Sequence, residues 1–134
     1  MKNNKTVCFV NTNKAWGGGE KWHFTTCQYL KSQGFNTFLV TNMGSELYKK
    51  AEKSNLAAIG VFVTNLSFLN PFKILSLVSL FKSQKVEAVI MNLPADLKVA
   101  GVAAKIAGVK KIIYTASSSC YGIPKKYPIR IFFR

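Results

Sequence analysis

The sequence predicts an α/β fold, a parallel sheet with helices on both faces, and three observations carry that prediction. Short apolar or β-branched runs alternate regularly with longer segments of helical pattern along the 134 residues. Such alternation marks strands joined by right-handed crossover helices. The run from Val86 to Asn92 is almost unbroken in its apolar character, as a strand covered on both faces requires. The first apolar run, Val7-Cys8-Phe9-Val10, empties into Gly17-Gly18-Gly19 ahead of a helical segment. That arrangement brings bare backbone N–H groups to a ligand at the carboxyl end of a strand.

The elements follow in chain order. Lys5 to Asn11 reads as strand one. Glu20 to Gln33 reads as a helix, stopped by Gly34 at the C′ position. Asn36 to Asn42 is strand two. Glu46 to Ser54 is a short charged helix with Ser45 as its N-cap. Ala58 to Val63 is strand three. Asn70 followed by Pro71 signals a helix start, and the helix runs to Gln84 with Ile74, Leu75, Val78, Leu80 and Phe81 on its apolar side. Val86 to Asn92 is strand four. Ala95 to Ala107 is an alanine-rich helix able to pack close to the sheet, and Gly108 ends it. Lys110 to Tyr114 is strand five.

Residues 5–124 are expected to form one domain, and residues 125–134 the start of a truncated continuation. Ile129-Arg130-Ile131-Phe132-Phe133-Arg134 is apolar, with no cap and no polar tail, so the chain reads as the front part of something longer. The segment is expected as the first turn of a core helix. Its two phenylalanines between arginines give the other reading, a segment lying on a membrane.

Composition narrows the function classes. An apolar fraction of 49% supports a core and argues against disorder. No run reaches the roughly 18 apolar residues of a membrane span, and Val7 to Val10 is too short for a signal segment of about 7–15 residues. A cytoplasmic protein is expected. Cys8, Cys27 and Cys120 are widely spaced beside a single histidine, His23, so no metal site is expected. Cys8 and Cys27 read as buried apolar residues. The formal charge of +14 implies an anionic partner, and an acidic membrane surface suits its scattered lysines. The chain lacks a clustered basic stripe and an aromatic–basic recognition motif, which disfavours nucleic acid.

The glycine turn is the first site candidate. Gly17-Gly18-Gly19 lacks the dinucleotide spacing, and strand two ends in Asn42 rather than an acid, which disfavours NAD. No P-loop Lys-Ser/Thr follows, which disfavours that route to ATP hydrolysis. Glu20, in the first helical turn, either complements the helix dipole or serves the site, by hydrogen-bonding a sugar hydroxyl or orienting the loop. Trp16 is either a stacking platform for a sugar ring or a membrane-facing aromatic, or else core or loop packing. His23 reads as structural rather than as a base. The second candidate is Asn92, Asp96 and Lys98 after strand four, expected to face the same cleft as the glycine turn; Asp96 has the alternative of an ordinary first-turn acid. The third is the polar end of strand five, with Ser117. No Ser/His/Asp arrangement stands out. The sequon at Asn65 reads as chance.

Taken together, these segments resemble a known family. They are Trp16 to His23, Gly44-Ser45-Glu46-Leu47, Asn65 to Phe72, Asn92 to Lys98 and Ala107 to Tyr114. In that order and spacing they resemble the amino-terminal domain of bacterial family 4 glycosyltransferases, enzymes of the GT-B type. The resemblance implies the Rossmann-like amino-terminal half of a GT-B fold, which mainly holds the acceptor. It implies a nucleotide-sugar donor, as substrate and not as cofactor, bound mainly by a carboxy-terminal domain that this chain lacks. Transfer would retain anomeric configuration, need no metal and serve cell-surface polysaccharide or lipopolysaccharide synthesis. The partners implied are a glycan or lipid-linked acceptor, the donor domain in cis or in trans, and the inner face of the plasma membrane. Gly17, Gly18 and Gly19 would lie beside the donor diphosphate and the reacting sugar, with Asn92 and Asp96 on the acceptor side. The family carries an Arg-Arg-Gly stretch where this chain has Thr115-Ala116-Ser117. Without a donor domain the chain is expected to be inactive as a transferase. The competing reading is a stand-alone flavodoxin-like module for a phosphorylated or nucleotide ligand.

Overall fold

The computed structural model describes residues 5–61, 70–93, 96–115 and 129–133. Ser117, Cys120 and the Asn65 sequon lie outside the described residues. The sheet is built from β1 (Thr6–Asn11), β2 (Asn36–Asn42), β3 (Ala58–Val61), β4 (Val86–Met91), β5 (Lys111–Thr115) and β6 (Ile129–Phe133). Its order is β3-β2-β1-β4-β5-β6. The first five strands are parallel, with β1 in register from Thr6↔Asn36 to Asn11↔Thr41 on one side and paired with β4 on the other. The chain steps outward from β1 to β3, then returns to place β4 on the opposite side of β1. The crevice above β1 and β4 is therefore the topological switch point, where open α/β sheets receive ligands.

Among the described residues, four α-helices cover the sheet: α1 (Gly18–Ser32), α2 (Glu46–Lys53), α3 (Pro71–Ser83) and α4 (Val102–Ala107). Strand alternation divides the core in two. Val7, Phe9, Leu39 and Ile90 pack with Cys27 of α1 and with Leu47 and Ala51 of α2. Cys8, Val10, Phe38, Val40, Val89 and Met91 pack on the other face with Leu77, Val78 and Phe81 of α3 and Ala103 and Ala104 of α4. Cys8 and Cys27 are buried and unbridged, as expected of small apolar residues.

The local signals act where the sequence put them. Ser45 Oγ accepts from the Tyr48 N–H at 3.1 Å. Asn70 Oδ1 accepts from the Phe72 N–H at 3.0 Å, with Pro71 in the first turn. Gly34 and Gly108 close their helices at φ of 92° and 84°, a region open to glycine at little cost.

Three features differ from expectation. Helix α1 starts at Gly18 rather than Glu20, so two of the three glycines are helical. The helix expected to run unbroken to Ala107 contains a π-helical turn over Leu97–Gly101 before α4, a single-turn π-bulge of the kind that interrupts α-helices. Ile129–Phe133 is neither a helix start nor a separate surface segment. It is β6, paired antiparallel with β5 from Lys111↔Phe133 to Thr115↔Ile129. The unpaired backbone edge of β5 requires a partner, and a β-branched and aromatic segment suits an extended one.

Candidate functional site

The site is assembled from the residues that end β1, β2 and β4. Asn11, the last residue of β1, is fully buried. Its Nδ2 donates to Glu20 Oε2 at 3.0 Å and to Asn92 Oδ1 at 3.1 Å. Its Oδ1 accepts from the Asn13 N–H at 3.1 Å. One amide thereby ties the end of β1 to the start of α1, to the residue after β4 and to its own loop. Buried polar groups demand such pairing, because an unsatisfied one costs about 1–3 kcal/mol.

Thr12 is held from two sides. Its N–H donates to Asp96 Oδ2 at 3.0 Å, and its hydroxyl hydrogen-bonds the other carboxylate oxygen. Its carbonyl accepts from Asn42 Nδ2 at the end of β2. Farther along, Asn13 Oδ1 accepts from the Ala15 N–H at 3.3 Å, a local turn that shapes the loop toward Gly17.

The three glycines have separate roles. Gly17 is the N-cap of α1 in extended backbone, and a Cβ there would meet Glu20 Oε1 at 3.2 Å. Gly18 faces open space. Gly19 lies against Asn92, whose Nδ2 would sit 1.9 Å from a Cβ. Only Gly19 is therefore demanded by packing. Gly17 and Gly18 are exposed, and the first-turn N–H groups of α1 lack partners within the helix.

Of the expected site residues, Asn92, Asp96 and Glu20 converge with the glycine turn. They form its buried floor, at 4%, 1% and 4% exposure. Asp96 is more than a first-turn helix acid, since both its oxygens engage Thr12. Its pKa is raised to about 6, chiefly by burial, against the lowering effect of the Thr12 hydrogen bonds and with a further raising contribution from Glu20. Lys98 is exposed on the π-helical turn. Trp16 packs the loop: its ring meets Phe24 edge-on at 6.0 Å, and the Lys50 ammonium lies 4.8 Å from its centroid. His23 is sealed between Phe9 and Trp22, each at 5.5 Å between ring centroids. Burial drives its pKa down to about 3, so the imidazole is neutral. Neither of its nitrogens has a hydrogen-bond partner among the described residues.

Asn11, Thr12 and Asn42 are site residues that the sequence reading passed over. The available signal was the asparagine at the carboxyl end of three strands, at Asn11, Asn42 and Asn92. Beside this floor runs an apolar groove of about 400 Å³ lined by Ile59, Val61, Leu77, Leu80 and Val99 with Lys73 and Ser76. Val61, Leu77 and Val99 also border the small void beneath Thr12 and Asp96. Among the described residues, no three His, Cys, Asp or Glu side chains are grouped to hold a metal ion. No helix of the described residues is long and apolar enough to cross a membrane.

This arrangement lies within a recognised sequence family. The family profile described as Glycosyl transferase 4-like matches residues 6–133. The chain belongs to that family. Its fold is also that of solved glycosyltransferases of the GT-B type. A glycosyltransferase from Rickettsia africae ESF-5 superposes with a TM-score of 0.71 at 25% identity, over 92% of this chain and 32% of the other. MurG from Acinetobacter baumannii superposes with a TM-score of 0.65 at 18% identity, over 84% of this chain and 35% of MurG. HepE from Anabaena, in complex with UDP-glucose, gives 0.65 at 14% identity, over 82% of this chain and 28% of HepE. The MurG and HepE likenesses are likenesses of fold. A search of curated protein sequences finds no match. The family 4-like chain thus spans about a third of the length of these solved enzymes.

Proposed function

We propose that this chain is the acceptor-binding domain of a sugar-nucleotide-dependent glycosyltransferase. It serves cell-surface polysaccharide or lipopolysaccharide synthesis at the cytoplasmic face of the plasma membrane. The supporting observation is the buried Asn11–Glu20–Asn92 and Thr12–Asp96 network, which fixes an exposed glycine turn at the switch point of a glycosyltransferase-family sheet. The strand-end loops supply polar contacts to sugar hydroxyls, and the apolar groove along Val61, Leu77 and Val99 suits the tail of a lipid-linked acceptor. The net charge of +14 favours an acidic membrane, where each nearby Lys or Arg contributes about 1 kcal/mol. The nucleotide sugar is a substrate held mainly by a donor domain, supplied in cis or in trans. Transfer is of the retaining kind and uses no metal, and the chain without that domain turns over no sugar.

Amide NMR tests this reading. The chain is titrated with a short-chain, diphosphate-linked sugar acceptor analogue and, separately, with UDP-glucose. The acceptor analogue is expected to shift the amides from Asn13 to Gly19 and at Asn92, with little response to UDP-glucose. Saturable UDP-glucose binding there, with no response to the acceptor analogue, overturns the acceptor assignment.

A further inference from the structure

Large apolar side chains at the surface are unevenly placed. Among the described residues, Trp22 and Tyr29 are exposed on α1, Met43 after β2 and Ile59 on β3. The remaining four, Phe72, Leu75, Val102 and Ile106, all belong to α3 and α4. Phe72 and Leu75 are 77% and 57% exposed, and Val102 and Ile106 are 44% and 56% exposed. Helical spacing accounts for them. Leu77, Val78 and Phe81 turn into the core, while Phe72, Leu75, Ser76 and Ser79 recur every three or four residues on the outer side of α3. On α4, Ala103 and Ala104 face inward, and Val102 and Ile106, four apart, face out. The two helices pack against each other over one face of the sheet, so their outer stripes adjoin. Scattered exposed apolar residues are ordinary, but adjoining ones mark an interaction surface.

The charge on this face has one sign. Lys82 of α3, Lys98 of the π-helical turn and Lys105 of α4 are exposed. The five acids of the chain are Glu20, Glu46, Glu52, Glu87 and Asp96, and none falls within residues 70–85 or 97–110. Helix α2, over the other face, carries Glu46 and Glu52 among its lysines. A lysine beside apolar ground lays its methylenes along it and lifts its ammonium group to the polar layer. Ser76 lies both on the outer stripe of α3 and on the rim of the apolar groove lined by Leu77, Leu80 and Val99, so the groove opens beside the stripe. Phe72 begins α3, at the end of the parallel sheet that also carries the glycine turn.

This combination selects the occupant. A second copy of the chain would set lysine against lysine. Duplex nucleic acid would answer the lysines and leave Phe72 and Leu75 in water. An anionic bilayer answers both: an amphipathic surface sinks about 5–10 Å into the headgroup boundary, and lipid phosphates meet the lysines. We propose that the outer faces of α3 and α4 seat the chain on an anionic lipid bilayer, with Phe72, Leu75, Val102 and Ile106 in the acyl boundary and Lys82 and Lys105 at the phosphates. The proposal rests on the membrane placement in the reading above and names the face that makes the contact.

Vesicle flotation tests it, with phosphatidylcholine alone and with phosphatidylcholine mixed with phosphatidylglycerol. The native chain floats with the mixed vesicles and not with the neutral ones. Phe72→Ser combined with Leu75→Ser lowers the affinity more than about tenfold. Lys82→Glu combined with Lys105→Glu lowers it about tenfold. Tyr29→Ser, which removes an exposed aromatic ring from α1, leaves it unchanged. All these side chains are exposed, and unchanged amide dispersion of β1 and β4 shows that the variants are folded. Absence of flotation with mixed vesicles overturns the proposal. A loss in Tyr29→Ser equal to that in the Phe72 and Leu75 variant also overturns it, as does dimerisation that the Phe72 and Leu75 variant abolishes. The vesicles hold no acceptor, so the two readings separate. Flotation without a response to the diphosphate-linked acceptor analogue supports this face and removes the acceptor reading. A response to the analogue without flotation does the reverse.

Discussion

Two neighbouring glycines in one turn have opposite sensitivities. A Cβ on Gly19 would stand 1.9 Å from Asn92 Nδ2, so Gly19→Ala must displace Asn92 from Asn11. The expected loss is about 1–3 kcal/mol in urea unfolding. Gly18→Ala meets nothing and replaces glycine in a helix, so a gain of about 0.5–1 kcal/mol is expected. Equal effects at the two positions would contradict the close approach of Asn92. His23 governs acid sensitivity. Its folded pKa of about 3 lies below the ordinary 6.5, so its contribution is fully present above pH 6.5 and is lost as pH falls toward 3. That loss amounts to at most about 5 kcal/mol. Asp96 acts the opposite way: its pKa, raised from 3.8 to about 6, favours the folded state at low pH, and this is lost as pH rises through 6. His23→Phe is expected to abolish the acid loss and expose the opposite slope of Asp96, measured by unfolding at pH 4 and pH 7. A variant as acid-sensitive as the native chain would place the titrating group elsewhere.

At the scale of elements, caps and strand ends were legible where the signal is local. Ser45 was readable as a cap because its hydroxyl reaches the Tyr48 N–H of its own helix. The same hydroxyl, 2.9 Å from Thr41 Oγ1, also ties α2 to the end of β2, a contact no local pattern announces. Ser45→Ala therefore loses more than a surface cap, about 2 kcal/mol at the upper end of capping effects. A fall in the urea midpoint with unchanged slope checks it. The π-helical turn at Leu97–Gly101 was not legible, because an alanine-rich stretch carries a good α-helical propensity throughout. Asp96, just before that turn, is held by Thr12, more than eighty residues earlier. Nor was the role of Asn11 legible: its partners Glu20 and Asn92 sit on different elements.

For the whole molecule, charge is the property the sequence states most directly. Nineteen Lys and Arg stand against five Asp and Glu, and the ion pairs of the described residues, Lys49–Glu46 and Lys110–Glu87, lie at the surface. Self-repulsion then opposes folding. Raising salt shortens the Debye length from about 30 Å at 0.01 M to about 3 Å at 1 M. A rise in Tm of about 4 °C is expected over that range; a flat response would mean that the lysines are too far apart to repel. The sequence by itself determined the α/β class, the succession of the first five strands and their helices along the chain, and the family. Hydrophobic period, caps and glycine stops act over a few residues and survive without a partner. Tertiary structure decided what depends on distant pairing. The free edge of β5 turned Ile129–Phe133 into an antiparallel strand. The switch point between β1 and β4 made Asn11, Thr12, Asn92 and Asp96 one buried floor. Hydrogen bonds between residues about 80 apart in sequence have no local signature, because the chain must close the loop before either partner meets the other.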